Sequence, residues 1–281
     1  MYDLCKPRTT IRMTFDAERV AQCEDDPVDE GARQARGVHE DVLERLGPDL
    51  LWGELSASQD LRLELIEARY GVSRSAAREV VRVLEAMRVV NSRRRVGITV
   101  RPREEWNVLD PRLIRWRLAG PERPAQLLSL SQLRAGVEPT AAALAALHAT
   151  PEQCGALTAA VIGMSVTGQS GDLEAYLAHD VAFHRTLLEA SGNEMFAGLT
   201  DVVEEVLAGR THHHLMPSRP EPTAIRLHGD VAEAVSARDA GRAEAAMREI
   251  LAEAMEAMER ATTADERDAD QRATLVADAA G

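Results

Sequence analysis

The chain contains few aromatic residues and few cysteines, and it has no long apolar run. Its 281 residues include three cysteines, and Phe, Trp and Tyr together make up 3% of the sequence. Cys5, Cys23 and Cys154 lack the spacing of a metal or redox motif, so a disulfide scaffold is excluded and a reducing, cytoplasmic setting is expected. No segment approaches the roughly 18 apolar residues of a membrane span, and no secretory hydrophobic region is present, so no membrane partner is expected. Abundant Ala, Leu, Glu and Arg favour helices over sheets.

The charge of the chain is distributed unevenly. The formal net charge is −13, but residues 69–103 contain ten arginines and two acidic residues, a local charge of +8 that leaves −21 for the remainder. This asymmetry predicts a small basic module joined to a larger acidic one. The guanidinium group suits bidentate contacts to phosphate and to guanine, whereas a solvated arginine-rich helix face is the alternative interpretation.

The first clear helical periodicity begins at Val38. Apolar residues at helical spacing run from Val38 to Leu46, and Gly47-Pro48 predicts the end of this helix. A second helix is predicted from about Ser58 to Tyr70. Both helices are short and amphipathic, as expected for elements of a small domain with one core.

A third helix and a hairpin complete this part of the chain. Gly71 supplies a tight turn, and Ser73 is a good N-cap for the third helix. Two short β-prone runs between Asn91 and Val100 flank an arginine-rich tip, which predicts a hairpin. Three helices followed by a hairpin constitute a winged helix-turn-helix, the type of module that binds double-stranded operator DNA.

Basic and short polar side chains at the start of the third helix and on the hairpin are the candidate DNA contacts. A recognition helix reaches base edges with residues near its N-terminus, and a wing contacts phosphates with cations. The candidate DNA-binding residues are Arg62, Arg69, Ser73, Arg74, Ser75, Arg78, Arg82, Arg93, Arg94, Arg95 and Gly97.

The third helix also supports a family resemblance. Residues 71–79 (GVSRSAARE), followed by Leu84-Glu85 and Gly97, resemble the DNA-binding domain of GntR-family transcription regulators. The resemblance covers 38–103 and implies a DNA-binding regulator. In the second helix, where family members commonly have basic residues, this chain has Leu63, Glu64 and Leu65, so the expected DNA contacts depend on the third helix and the wing.

The second half of the chain is helical by period, almost without interruption. Its breaks predict six or seven helices, an α-bundle large enough to hold a pocket between its helices. The fold class is therefore mainly α, with a winged helix-turn-helix before an all-α bundle. The predicted organisation is a flexible extension (1–37), the winged helix-turn-helix (38–103), a bridging helix that starts at Asp110-Pro111 (104–124), the bundle (125–260) and a flexible tail (261–281).

The bundle resembles the FCD effector domain of the FadR subfamily of GntR regulators. The resemblance is found in Leu133-Arg134 with Val137-Glu138-Pro139, in residues 180–184 and 190–193, and around His228. It implies an effector-binding and dimerisation domain in which Arg134 pairs with a ligand carboxylate, the alternative being a surface ion pair with a neighbouring acid. The implied effector-binding residues are Arg134, Asp180, His184, Asn193 and His228.

A metal site is predicted in the same region. Asp180 and His184 are four residues apart, so both side chains leave one helical face, and a carboxylate with an imidazole suits Zn, Ni or Mn. The resemblance adds His228 as a third ligand and places Ile250 where many FCD domains have a fourth histidine. Three protein ligands would leave positions for water or effector oxygens, and a metal-free polar pocket is the alternative. The run 212–214 (HHH) is interpreted as a helix end rather than as ligands.

These features together predict a ligand-responsive transcription regulator, a repressor that binds operator DNA as a homodimer and senses a small carboxylate. Residues 106–116 resemble FadR-type regulators of sugar-acid use, such as galactonate or gluconate, so a polyhydroxy acid is the first expectation; a dicarboxylate or a lactate-like acid stays open. The rival interpretation is a metal-dependent enzyme with an accessory winged helix. No general-base motif, nucleophile elbow or phosphate-binding glycine loop is found, so no enzyme is expected.

Overall fold

The protein is mainly α-helical, as predicted, and its described strands form one two-stranded hairpin. The computed structural model describes residues 27–52, 61–93, 97–213, 215–217 and 219–258, so the predicted tail and residues 1–26 lie outside the described residues. The elements are α1 (Pro27–Leu51), α2 (Leu63–Tyr70), α3 (Arg74–Ala86), β1 (Val90–Arg93), β2 (Gly97–Val100), α4 (Pro111–Ala119), α5 (Arg123–His148), α6 (Pro151–Ser170), α7 (Leu173–Ala190), α8 (Glu194–Ala197), α9 (Thr200–His212), α10 (Pro222–Ser236) and α11 (240–258).

The first helix differs from the sequence prediction at both ends. It begins at Pro27, whereas the flexible extension was predicted to reach residue 37; proline suits a first turn because its missing N–H would have no partner there. It also continues through Gly47 and Pro48, so the predicted stop was wrong. Gly47 serves a packing contact, because a Cβ at this position would lie 2.4 Å from the ring of Trp116.

The turn between α2 and α3 forms as predicted. Gly71 has φ of +66°, a left-handed conformation that glycine adopts without steric cost. Ser73 caps α3, with its Oγ accepting a hydrogen bond from the backbone N–H of Ala76 at 3.3 Å. The left-handed turn and the cap together join α2 and α3 as a helix-turn-helix.

The hairpin packs against this pair of helices. β1 and β2 are antiparallel, with Val90 opposite Val100 and Arg93 opposite Gly97. The backbone N–H of Ile98 donates to the carbonyl of Leu61 at 2.9 Å. The hairpin is therefore held by backbone hydrogen bonds from two directions, which confirms the predicted wing.

Helix α4 joins the two halves of the molecule. Asp110 caps it, accepting from the N–H groups of the first turn, and Pro111 occupies the first helical position. Leu113 and Trp116 pack into the core of the winged helix-turn-helix. Ile114 and Leu118, on the opposite face, pack with α5 and α9.

An arginine on α4 contacts both halves. The guanidinium of Arg115 bonds both carboxylate oxygens of Glu205 on α9, with its Nε 3.1 Å from Oε2, and its Nη1 lies 3.7 Å from Glu44 on α1. Glu44 also accepts a hydrogen bond from the indole N–H of Trp116 at 2.8 Å. Helices α1, α4 and α9 are thus joined by side chains as well as by apolar packing.

The second half contains seven helices among the described residues, α5–α11, in agreement with the predicted six or seven. Local signals start several of them: Thr150 and Gln153 form a capping box at α6, and Asp172 caps α7. Phe183 and Leu187 on α7 are fully buried in the core of this bundle. No helix among the described residues has the length and apolarity to cross a membrane.

Candidate functional site

Helix α3 presents a basic face to solvent. Its apolar face is buried in the domain core through Ala77, Val80 and Leu84. Arg78 lies on the exposed face and makes no ion pair with any described residue. The other predicted contacts in the described residues are also exposed, apart from the half-buried Gly97: Arg62, Arg69, Ser73, Arg74, Ser75, Arg82 and Arg93.

Three of these arginines pair with acidic residues of the same domain, and for Arg82 the partner is Glu79 on α3. The Nη1 of Arg74 lies 2.9 Å from Oε1 of Glu64 and 3.5 Å from Oε1 of Glu67, both on α2. Arg69 donates to Asp49 of α1 at 2.8 Å. Glu64 is one of the residues by which α2 departs from the family pattern, and in the structure it positions the guanidinium of Arg74.

The wing provides further cations. Arg93 ends β1 and is exposed, opposite Gly97. Arg94 and Arg95, predicted at the tip, lie outside the described residues. The described part of the wing is anchored to α3, because the carboxylate of Glu85 accepts a hydrogen bond from the N–H of Ser92 at 2.8 Å.

A buried polar cluster lies between α7 and α10. The structure brings together Asp180, His184 and His228, and one ligand atom from each lies within 4.8 Å of the others. All three side chains are buried. The spacing of Asp180 and His184 places both on one face of α7, as predicted, and α10 supplies His228 across from them.

The ring orientation of each histidine is fixed by a neighbour. His228 donates from Nδ1 to the carbonyl of Ala224 at 2.7 Å, which leaves Nε2 facing Oδ1 of Asp180 at 3.3 Å. His184 has Nδ1 2.8 Å from Oε2 of Glu138 and Nε2 3.4 Å from Oδ1 of Asp180. Phe183 packs edge-on to both imidazoles.

Several ligand-type atoms in this cluster lack hydrogen bonds. Oδ1 of Asp180, Nδ1 of His184 and Nε2 of His228 are buried and make no hydrogen bond with acceptable geometry to the described residues. Burial opposes ionisation of Asp180, but the two imidazoles lower the pKa of this carboxyl well below its usual value. An ionised carboxylate facing two imidazoles is a donor set that Zn, Ni or Mn accepts.

Arg134 is committed to an acidic neighbour. Its Nε donates to Oε1 of Glu138 at 2.6 Å and its Nη2 to Oε2 at 3.2 Å, and both side chains are buried. Burial opposes ionisation of Glu138, but Arg134 and His184 lower its pKa to about 2. The structure shows Arg134 paired with a neighbouring acid, and this pair is buried rather than at the surface as the alternative interpretation had it.

A second arginine, which the sequence prediction missed, lies in the same pocket. Arg210, near the end of α9, is buried; its Nε has no hydrogen-bond partner and its guanidinium makes no ion pair with the described residues. Burial lowers its pKa. A sequence signal existed, because Val206 and Leu207 precede it by four and three residues, which places Arg210 on the buried stripe of α9.

These groups surround one narrow pocket, whose cavity volume is about 30 Å³. Ile250 of α11 contributes an apolar wall where a fourth histidine was considered. Tyr176, one helical turn before Asp180, and Glu138 behind His184 are further site residues that the prediction did not name. The walls also include Met216, Pro217, Pro220, Glu221, Ala224, Glu253, Ala254 and Ala257.

Two sequence candidates are not part of this pocket. Asn193, predicted as effector-binding, caps α8: its Oδ1 accepts from the N–H of Met195 at 2.9 Å. An Asn before a short helix is best satisfied by this local bond. His212 is exposed and lies 3.3 Å from Glu174, consistent with the interpretation of this histidine run as a helix end.

Comparison with known proteins assigns both halves. The sequence model described as "Bacterial regulatory proteins, gntR family" matches residues 38–100, and the model of the FCD domain matches 129–253. The chain belongs to the GntR family. The pairing of these two domains is consistent with the FadR-like subfamily, and the proteins of these families are transcription regulators rather than enzymes.

Individual relatives agree with this assignment. The HTH-type transcriptional regulator YieP of Escherichia coli is 28% identical over 75% of this chain and 90% of its own length. The galactonate operon transcriptional repressor of the same organism is 27% identical over 75% of this chain and 92% of its own. Among solved structures, E. coli McbR/YncC is 16% identical, covers 81% of this chain and 98% of its own, and has a TM-score of 0.49. The two domain matches and the two E. coli relatives show that this GntR-family chain is a transcriptional regulator with an FCD domain.

Proposed function

We propose that this GntR-family regulator is a repressor that binds operator DNA as a homodimer and is released when a small carboxylate enters the FCD pocket. The observation that supports this most strongly is the pocket itself, in which buried charged groups converge inside the acidic half of the molecule. Such groups are costly to bury unless a ligand or metal completes them. A relative that represses a galactonate operon makes a sugar acid the first effector to test.

Operator recognition is assigned to α3 and the wing. Arg78 is exposed near the start of the recognition helix, and because its guanidinium makes no ion pair with the described residues, it suits a bidentate contact to a guanine edge. Arg93 suits a phosphate contact. Two such modules bind two half-sites with two-fold symmetry, and the second module multiplies the affinity of the first, which is why a homodimer is proposed.

The residues of the polar cluster fit a divalent metal ion. Asp180, His184 and His228 would hold it, because Oδ1 of Asp180 lies 3.4 Å from Nε2 of His184 and 3.3 Å from Nε2 of His228, and the other nitrogen of each histidine faces a carboxylate or a backbone carbonyl. When bound, Zn, Ni or Mn supplies a Lewis acid for effector oxygens. Ile250 contributes no fourth ligand, so weaker binding than at a four-ligand site is expected.

The effector acts by shifting a conformational equilibrium. If the acid binds one arrangement of the two DNA-binding modules more tightly than the other, DNA must favour the opposite arrangement by the same coupling free energy. Galactonate and gluconate are the acids to test first, followed by dicarboxylates and lactate. A neutral polyol of the same length, galactitol, is the matched control for the carboxylate.

The test begins with selection of duplexes from a randomised pool by the purified protein. A gel shift on the selected duplex should show retention that galactonate or gluconate reduces and galactitol does not. Elemental analysis of the same preparation should give metal that is lost from His184→Ala and His228→Ala. If no sequence is enriched, or if enriched duplexes bind equally with every acid, the proposal is wrong in its DNA or its effector part, respectively.

A further inference from the structure

We propose that Arg210, rather than Arg134, binds the carboxylate of the effector, and that this effector is a polyhydroxy monocarboxylate. The inference rests on the proposed sensing of an acid and assigns the residue and ligand class that would accomplish it. It follows from a difference between two arginines that line the same pocket. Arg134 forms an ion pair with Glu138, whereas Arg210 forms none with any residue that the structure describes.

On the side of Arg134 that faces Glu138, both donor nitrogens already bond that carboxylate. The pair is joined through Nε and Nη2, and Nη2 also lies 3.3 Å from Nε2 of His184. An effector carboxylate that displaced Glu138 would leave that buried acid without its cation, which is strongly unfavourable. Arg134 therefore orients Glu138 and His184 and is a positioning residue.

Arg210 is the complementary case. Its side chain is buried, its Nε is unbonded, and no carboxylate of the described residues forms an ion pair with it. Asp180 and Glu253 are close enough to oppose the effect of burial on its pKa, but neither pairs with it. A buried guanidinium without an anion is less stable than an apolar side chain of the same size, so an anion delivered by a ligand would complete the site.

The surrounding side chains narrow the ligand class. Tyr176 precedes Asp180 by one turn of α7, and both residues line the same pocket as Arg210 and His184. Glu253 and Glu221 also line the pocket; they accept hydrogen bonds from hydroxyl groups and repel a second carboxylate.

The first measurement needs no ligand. Thermal unfolding is compared for the wild type, Arg210→Met, Arg134→Met and the surface control Arg248→Met, whose arginine pairs with exposed Glu244 at 2.6 Å. Arg210→Met should unfold at the same temperature as the wild type or higher, because it removes an uncompensated buried charge. Arg134→Met should unfold at a lower temperature. If Arg210→Met lowered the unfolding temperature as much as Arg134→Met does, Arg210 would have a structural role and the inference would be overturned.

The second measurement uses defined probes. Calorimetric titrations with D-galactonate, D-gluconate, citrate, L-lactate and galactitol should show the tightest binding by one of the two sugar acids. Arg210→Met should weaken that binding at least about 30-fold, the loss expected when one partner of a buried charge pair is removed. Arg210→Lys, which keeps the charge, should retain part of the affinity, and it serves as the second variant if Arg210→Met does not fold.

The outcomes separate the two proposals. If the wild type binds none of the acids, the proposed sensing of a carboxylate is wrong. If the wild type binds a sugar acid and Arg210→Met binds it equally well, the sensing stands and only the assignment of Arg210 is wrong. Preference for citrate or lactate over both sugar acids would overturn the ligand class.

Discussion

Two arginine–glutamate pairs, one in each half of the molecule, lie in opposite environments. On α3 the side chain of Arg74 is 52% exposed and its partner Glu64 is 63% exposed, whereas Arg134 and Glu138 in the bundle are 4% and 0% exposed. Because water screens the exposed pair, this pair contributes little to stability. If one partner of the buried pair is removed, no water can solvate the charge that remains. The roles proposed for Arg78, Arg134 and Arg210 therefore depend on burial and on the availability of a counter-charge rather than on residue type.

The largest effect is expected from the buried pair. Glu138→Leu leaves Arg134 without its anion and should lower the free energy of unfolding by about 3–5 kcal/mol. The double variant Glu138→Leu/Arg134→Met replaces the pair by apolar side chains and should recover most of that loss. Urea denaturation measures both, and Glu79→Leu on the exposed face of α3 is the matched surface control. A double variant no more stable than the single one would contradict the charge argument.

The exposed arginines should act on binding rather than on folding. Arg78→Ala should weaken binding to the selected operator by about 1–3 kcal/mol for each half-site, because a bidentate contact to guanine is lost. Its urea midpoint should not move. Gel shifts with the operator and with a scrambled duplex measure the specific part. Arg248→Ala, an equal change of charge in the bundle, is the control, and an equal loss in both variants would remove Arg78 from the recognition surface.

Replacing a wing arginine should weaken DNA binding in a different way from replacing Arg78. Arg93→Ala should weaken binding to operator and scrambled DNA alike, since a phosphate contact contains no sequence information. The slope of log affinity against log salt should fall by about one for each contact removed. Titrations at three salt concentrations measure this slope. If the affinity fell for the operator but not for scrambled DNA, Arg93 would contact a base edge rather than a phosphate.

The smallest effect is expected at Glu64. Glu64→Gln removes a negative charge beside Arg74, so affinity for any duplex should rise slightly, by about 0.2–1 kcal/mol, while stability changes by less than about 0.5 kcal/mol. Leu65→Gln on the same helix is a control without a change of charge. A fall in affinity for the operator alone would mean that Glu64 orients Arg74 toward a base.

Features fixed by local chemistry were predictable from the sequence. The N-caps Ser73 and Asp110, the turn at Gly71 and the hairpin all formed where expected, because each depends on a few adjacent residues. The spacing of Asp180 and His184 placed them together for the same reason. The helix end predicted at Gly47-Pro48 was wrong. Gly47 is needed for its close contact with the ring of Trp116, a residue distant in the sequence.

Features that depend on distant partners were not predictable. Arg134 and Glu138 are four residues apart, so a pairing was possible, but their burial depends on α7 and α10. Arg210 belongs to no motif, and its lack of a counter-charge can be seen only when the described residues of the other helices are placed around it. Composition cannot show which of two arginines in one pocket is already neutralised.

The ion pairs of Arg115 have a consequence for communication between the halves. Glu205 lies five residues before Arg210 on α9, and Arg115 contacts both Glu205 and Glu44 of α1. If α9 rotated when Arg210 bound an anion, Glu205 would move relative to Arg115. The ion pair between Arg115 and Glu44 of the DNA-binding module would then change in strength. Signal transfer by this route needs rigid packing rather than a loose hinge. It predicts that Glu205→Gln keeps acid binding and DNA binding individually but reduces the effect of one on the other.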